Sequence, residues 1–163
     1  MDELENSKIL MHVMNSFFHV ISTKTSPAHA WLTIKILLQK TEYEYDFMKS
    51  VDVVEMDDIN VFLKKIKQHK MNFNIVNVHN DVIDTVNQQI VGNAIQYFAD
   101  EVKRYLGDKA GYRFLIEFID DLGEEYNAVI KGMGVDLRFM QLQDEISRDE
   151  MYLSLCESVD PIW

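Results

Sequence analysis

Three histidines near the start of the chain, His12, His19 and His29, carry the most readily used chemistry, since imidazole ligates metals and changes charge near neutral pH. His12 and His19 are seven residues apart. On a helix that spacing gives a shared face and an axial separation of about 10 Å. A single metal ion holds its nitrogen ligands at about 2 Å, so this pair alone cannot chelate one. If the first two helices fold back on each other, His29 approaches either partner. One of the three then becomes a candidate axial haem ligand or a pH-sensitive contact. The competing expectation places all three at helix edges, bonded to backbone or water.

Around these histidines lie Met11, Met14, Phe17, Phe18 and Trp31. Methionine and aromatic side chains line adaptable apolar pockets, and they equally fill ordinary cores. The candidate ligand-binding set is therefore His12, His19, His29, Met14, Phe18 and Trp31, with a small apolar molecule or haem as the occupant. The residues name no cofactor.

Other clusters are less specific. Glu117, Asp120, Asp121, Glu124 and Glu125 concentrate carboxylates that could meet a divalent cation or act as an acid–base pair. Di-iron bundles place a His three residues after a Glu, and that spacing is absent, as is a calcium loop with its central Gly. The cluster reads as a solvated helix end. Lys64, Lys65, Lys67, His69 and Lys70 form the one basic run, spread around a helix rim rather than stacked in a stripe. His79 closes a predicted strand. Gly107-Asp108-Lys109-Ala110-Gly111 has the wrong spacing for a phosphate loop and follows a helix, so it reads as a helix–helix turn. Cys156 stands among Leu153, Ser154 and Leu155 as a small apolar residue, and no nucleophile elbow occurs. No catalytic or metal-ligating set is assigned.

The elements that must position these residues follow from periodicity. Ile9, Leu10, Val13, Met14, Phe17, Val20 and Ile21 recur at helical steps and predict a helix from about residue 4 to 21. Ser26 as N-cap and Pro27 at the first helical position open a second helix, running to about Gln39. A short turn or helix is expected over 43–50. Strands are expected at about 51–56 and 72–79, with a helix around Ile59 to Ile66 between them, a small βαβ-like unit needing a third strand or helical cover. The second half is helical: about 85–106, 109–122, 124–131 and 135–159, punctuated by Gly107, Gly123 and Gly134, with Asp108 as a cap. The run Phe114–Leu122, large and apolar at six of nine positions, is expected to be apolar nearly all round and to form the hub of the core.

The chain of 163 residues suits a single domain, residues 1–163, of the predominantly helical α+β class: a bundle-like core with a two- to three-stranded sheet. Its net charge of −11 is uneven, with seven Lys/Arg against sixteen Asp/Glu in residues 83–163. An acidic surface repels phosphate backbones and anionic lipid, which argues against nucleic acid and membrane partners. The acidic start, the lone cysteine and the lack of a long apolar run lead to the expectation of a soluble cytoplasmic protein. The expectation for function is a non-catalytic regulatory, signalling or protein-interaction module, homodimeric, whose partner is another protein or a second copy. The first helix or the stretch Tyr97-Phe98 to Leu106 would supply the twofold contact. The alternative is a small-molecule sensor holding an apolar ligand or haem in a Met/aromatic pocket walled by histidine. An enzyme using scattered carboxylates has no positive support in the spacing.

Overall fold

The computed structural model describes residues 4–55, 61, 64 and 74–157, with the backbone alone at 81 and 150–157. In chain order the described elements are α1 (Asn6–Lys24), α2 (Pro27–Glu44), a 3-10 turn (Asp46–Ser50), β1 (Val51–Val53), β2 (Val76–Val78), α3 (Asn80–Ile83), α4 (Gln88–Leu106), α5 (Asp108–Leu122), α6 (Glu124–Gly132) and α7 (Leu137–Glu157). The protein is predominantly helical with a minor sheet, the expected α+β class. Val61 and Lys64 are helical. The rest of the helix expected at 59–66, and Lys65, Lys67, His69 and Lys70, lie outside the described residues.

The hub of the fold is α1, not the run Phe114–Leu122. Twelve of the nineteen α1 residues are buried, which is more than one face of a helix. It packs against α2, α3, α4, α5, α6 and β2. By contrast α5 buries Gly111, Phe114, Leu115, Phe118 and Leu122 along one side, and Ile116 remains 41% exposed. The apolar excess that made this helix look buried all round is therefore only partly used inside. Phe17 of α1 joins the helices, its ring centre 4.8 Å from Phe98 of α4, 5.8 Å from Phe114 and 4.2 Å from Phe118 of α5. Each such ring contributes about 1.5–3 kcal/mol through burial.

Local rules set the helix ends. The Ser26 hydroxyl accepts a hydrogen bond from the His29 N–H at 3.1 Å, and Pro27 opens α2 as expected. Asn87 caps α4 by accepting from the Gln89 N–H at 2.8 Å. Asp108 is not a cap: it lies in the first turn of α5, and Gly107 occupies the cap position. Gly107 (φ 85°, ψ 172°) and Gly123 (φ 88°, ψ 161°) hold backbone conformations open essentially to glycine alone. Each ends one helix and starts the next without a linker, so α4, α5 and α6 follow as a tight zigzag.

The sheet departs from the βαβ expectation. β1 and β2 are antiparallel, Val51 opposite Val78 and Val53 opposite Val76, and shorter than predicted. Among the described residues no third strand joins them; helices cover the pair instead. The open side of β2 is satisfied by one side chain of α1. Asn15 Oδ1 accepts from the Ile75 and Val76 N–H groups, both at 2.9 Å, and its Nδ2 donates to the Val76 carbonyl at 3.0 Å. A carboxamide thus does what a neighbouring strand would do.

Candidate functional site

The six residues singled out from the sequence fall into three separate places. Met14, Phe18 and Trp31 are core residues, exposed by 0%, 3% and 5%. Trp31 also donates from its indole nitrogen to the Val54 carbonyl at 2.7 Å, which ties α2 to the end of β1. None of the three lines any groove described below. His29 stands apart at the start of α2, its Nε2 2.7 Å from the Tyr105 hydroxyl of α4.

His12 and His19 do share a recess. An open groove of about 540 Å3 runs along α1 and is lined by Lys8, Met11, His12, Asn15, Ser16, His19, Asn74, Asp121 and Tyr126. The helical spacing of positions 8, 12, 15, 16 and 19 puts these side chains on one edge of α1, and the Leu122–Tyr126 corner of α5 and α6 forms the opposite wall. His12 Nε2 sits 3.1 Å from the Leu122 carbonyl, one of the free carbonyls that end α5. Its ring stacks on Tyr126 with centroids 3.6 Å apart and planes 10° apart. Asp121 accepts the Ser16 hydroxyl at 2.6 Å and lies 3.5 Å from His19 Nδ1.

This arrangement looks like a Ser, His and Asp constellation, yet its wiring is different. In a nucleophilic triad the hydroxyl donates to the imidazole, which takes its proton. Here Ser16 donates to the carboxylate, so the proton points away from any base that would activate the oxygen. His12 is likewise committed to a helix end and an aromatic face. The recess is lined mainly by residues with polar groups, and Met14, Phe18 and Trp31 of the expected apolar pocket are not among them. Among the described residues no group of three or more His, Cys, Asp or Glu side chains converges as a metal site.

The remaining candidates resolve in the same way. Glu117 pairs with Lys24 at 2.9 Å and Asp121 with α1 as above, so the acidic cluster splits into separate contacts. His79 pairs with Asp52 across the two strands. Of the expected helix–helix turn Gly107–Gly111, Gly107 alone makes the turn, and Asp108–Gly111 already belong to α5. Cys156 lies on α7.

A different surface went unnoticed in the sequence. On α7, Leu137 and Met140 face inward, and Asp144 is tied to α4 by Lys103 at 2.9 Å. Tyr112 of α5 donates to Glu145 of α7 at 2.8 Å. On the opposite side of the same helix Phe139, Leu142 and Ile146 are exposed by 56%, 50% and 49%. Their spacing of three and then four residues makes one continuous seam. A groove of about 580 Å3, lined among others by Asn127, Ala128, Lys131, Phe139 and Leu142, runs beside it between α6 and α7. A second, shorter set, Leu32, Ile36 and Tyr43, occupies the outer side of α2 with exposures of 47%, 52% and 91%. The signal for the α7 seam was present as two interleaved apolar patterns, one at 137 and 140 and one at 139, 142 and 146; only packing shows which one the core takes.

The stretches expected to supply a twofold contact, α1 and Tyr97–Leu106, leave Met11 and Tyr105 as their exposed large apolar residues, at 36% and 49%. Most of their other apolar residues go to the chain's own core: Phe98, Ala99 and Val102 are fully buried, as are Ile9, Leu10, Val13, Met14, Phe17 and Ile21 of α1. Among the described residues no helix is long and apolar enough to cross a membrane. No protein-family model, no curated protein and no solved structure matches the chain.

Proposed function

We propose that this chain is a non-catalytic protein-interaction module that pairs with a second copy of itself and docks an amphipathic helix of a partner protein along α7. The observation that carries the docking reading is the outward seam of α7. Three large apolar side chains in helical register, each about half exposed, face away from a core already closed on the other side of the same helix. Single exposed apolar residues are ordinary, but a row of them beside a groove is how helix-in-groove recognition surfaces are built. Burial of the row by a partner would remove the apolar area that the isolated chain leaves in water.

The sensor alternative draws less support. Met14, Phe18 and Trp31, the residues meant to wall an apolar pocket, are buried in the core, and the recess beside His12 and His19 is open and lined by none of them. A regulatory role follows only through what docks.

The test is a photo-crosslinking amino acid placed at Phe139, with the exposed position Val82 as control, in cells expressing the full chain. The expected result is one discrete adduct from position 139, absent from position 82 and lost when Leu142→Asp and Ile146→Asp are added. Adducts of equal yield from both positions, or none from 139, would contradict the docking face.

A further inference from the structure

We infer that two copies of this chain pair antiparallel through the outward side of α5, with Arg113 of each copy against Asp120 of the other and Ile116 near the twofold axis. The inference names the contact of the self-pairing module proposed above and rests on that reading.

Lys109, Arg113, Ile116 and Asp120 recur at steps of four, three and four residues, on the side of α5 opposite Phe114, Leu115, Phe118 and Leu122. All four are exposed, and they span about 16 Å of helix. The stripe is basic toward the start of the helix and acidic toward its end, with one large apolar side chain between. That order opposes the helix macrodipole, which favours acids at the N-terminus and bases at the C-terminus. The last turn of α5 contains Asp120 and Asp121 and no basic residue. Asp108 gives the first turn the acid that the dipole favours, so the unfavourable placement is confined to the C-terminal end, where Asp120 finds no cation in its own chain among the described residues.

Compensation inside the chain is indeed missing for this stripe. Neighbouring charges are paired, Lys24 with Glu117 at 2.9 Å and Lys103 with Asp144 at 2.8 Å. Lys109, Arg113 and Asp120 make no ion pair among the described residues. An antiparallel copy supplies what is lacking. The midpoint between Arg113 and Asp120 lies between Ile116 and Glu117, so the two charges stand at equal distances on either side of it. A twofold axis through that point sets each opposite the other and brings the two Ile116 side chains together. Such a contact is isologous: one stripe, used twice, complements itself. The two helix dipoles also run in opposite directions, which favours the same orientation.

Sedimentation equilibrium of the full chain tests this with the wild type, Arg113→Glu, Asp120→Arg and the double charge swap. All four positions of the stripe are on the surface, and circular dichroism with thermal melting confirms that each variant folds. The wild type is expected to be a dimer, and each single reversal, setting like charges face to face, to weaken pairing about tenfold or more. The double swap restores the facing opposite charges and is expected to bring affinity back to within about threefold of the wild type. Raising salt from about 20 mM to 500 mM shortens the Debye length and weakens the wild-type dimer. A dimer indifferent to the single reversals would overturn the α5 contact while leaving self-pairing through another face intact. Single reversals that weaken pairing without rescue by the double swap would overturn the facing of Arg113 and Asp120. A monomer throughout would overturn the contact and the self-pairing reading together, and the α7 crosslink would then stand or fall by itself.

Discussion

Asp84 caps the first turn of α1 through Ser7, a residue 77 positions before it. Its two carboxylate oxygens take the Ser7 backbone N–H at 2.8 Å and the Ser7 hydroxyl at 3.2 Å. The residue in the cap position of α1, Glu5, makes no side-chain capping bond of its own. Close by, Asn6 Nδ2 donates to the Ile83 and Val86 carbonyls at 3.0 and 2.7 Å, so the start of α1 and the end of α3 are tied reciprocally. The central helix thus obtains its N-terminal anion from a turn that the chain reaches only after the sheet.

Asp84→Ala is expected to cost about 1–2 kcal/mol of stability, the usual value of a lost helix cap. Asp84→Asn keeps an acceptor for the Ser7 N–H and should cost less than the Ala variant. Urea unfolding of the three proteins checks the order. Equal stability of wild type and Asp84→Ala would show that α1 needs no such cap.

Asn15→Leu keeps the branched shape and number of heavy atoms yet strands the Ile75 and Val76 N–H groups and the Val76 carbonyl, which Asn15 alone is seen to satisfy on that side of β2. An unsatisfied buried backbone group costs about 1–3 kcal/mol, so the variant should lose about 3 kcal/mol or more. Hydrogen exchange of the Ile75 and Val76 amides should accelerate first. A variant as stable as the wild type, with those amides still protected, would contradict the bracketing role.

Tyr112 links α5 to α7, and pH tests the link. The hydroxyl donates to the Glu145 carboxylate, which holds its pKa above the ordinary value of 10.0. A folded-state pKa raised above the unfolded one gives a contribution to stability that is complete below the unfolded value and is lost as pH rises through the folded value. The link is therefore constant through neutral pH and fails only in strong alkali. Absorbance near 295 nm, recorded as wild type minus Tyr112→Phe across the alkaline range, should show one tyrosine ionising later than a free one. Ionisation at or below the ordinary value would mean that the bond to Glu145 is not made in solution.

What the sequence made legible is what depends on short-range periodicity. The helix boundaries, the Ser26 cap with Pro27, and the breaks at Gly107 and Gly123 are written in neighbouring residues and are found within a few positions of expectation. Pairings across long stretches are not written that way. Antiparallel order in the two strands depends on how residues 54–75 connect them, and no local pattern carries that. The dispersal of the six candidate residues over three places was hidden for a related reason. Met14, Phe18 and Trp31 have the composition of a pocket wall and of a core alike, and only the fit of Phe17 against Phe98, Phe114 and Phe118 shows that the space around α1 is taken by side chains. One signal was available and unused: Asn15 and Ser16 interrupt an apolar series between Met14 and Phe17. Polar residues amid such a series are buried with partners, as both prove to be.

The most direct measurement of the docking reading replaces the α7 seam at once, as Phe139→Ser, Leu142→Ser and Ile146→Ser in one protein, and follows both its unfolding free energy and its binding of an apolar fluorescent dye. Side chains that serve docking rather than folding are dispensable to the isolated chain, so stability should change by no more than about 1 kcal/mol while dye binding by the folded protein is lost. Met140→Ser, on the inward side of the same helix, should instead destabilise by about 2 kcal/mol or more. A triple variant that unfolds, or one that binds the dye as the wild type does, would contradict the account.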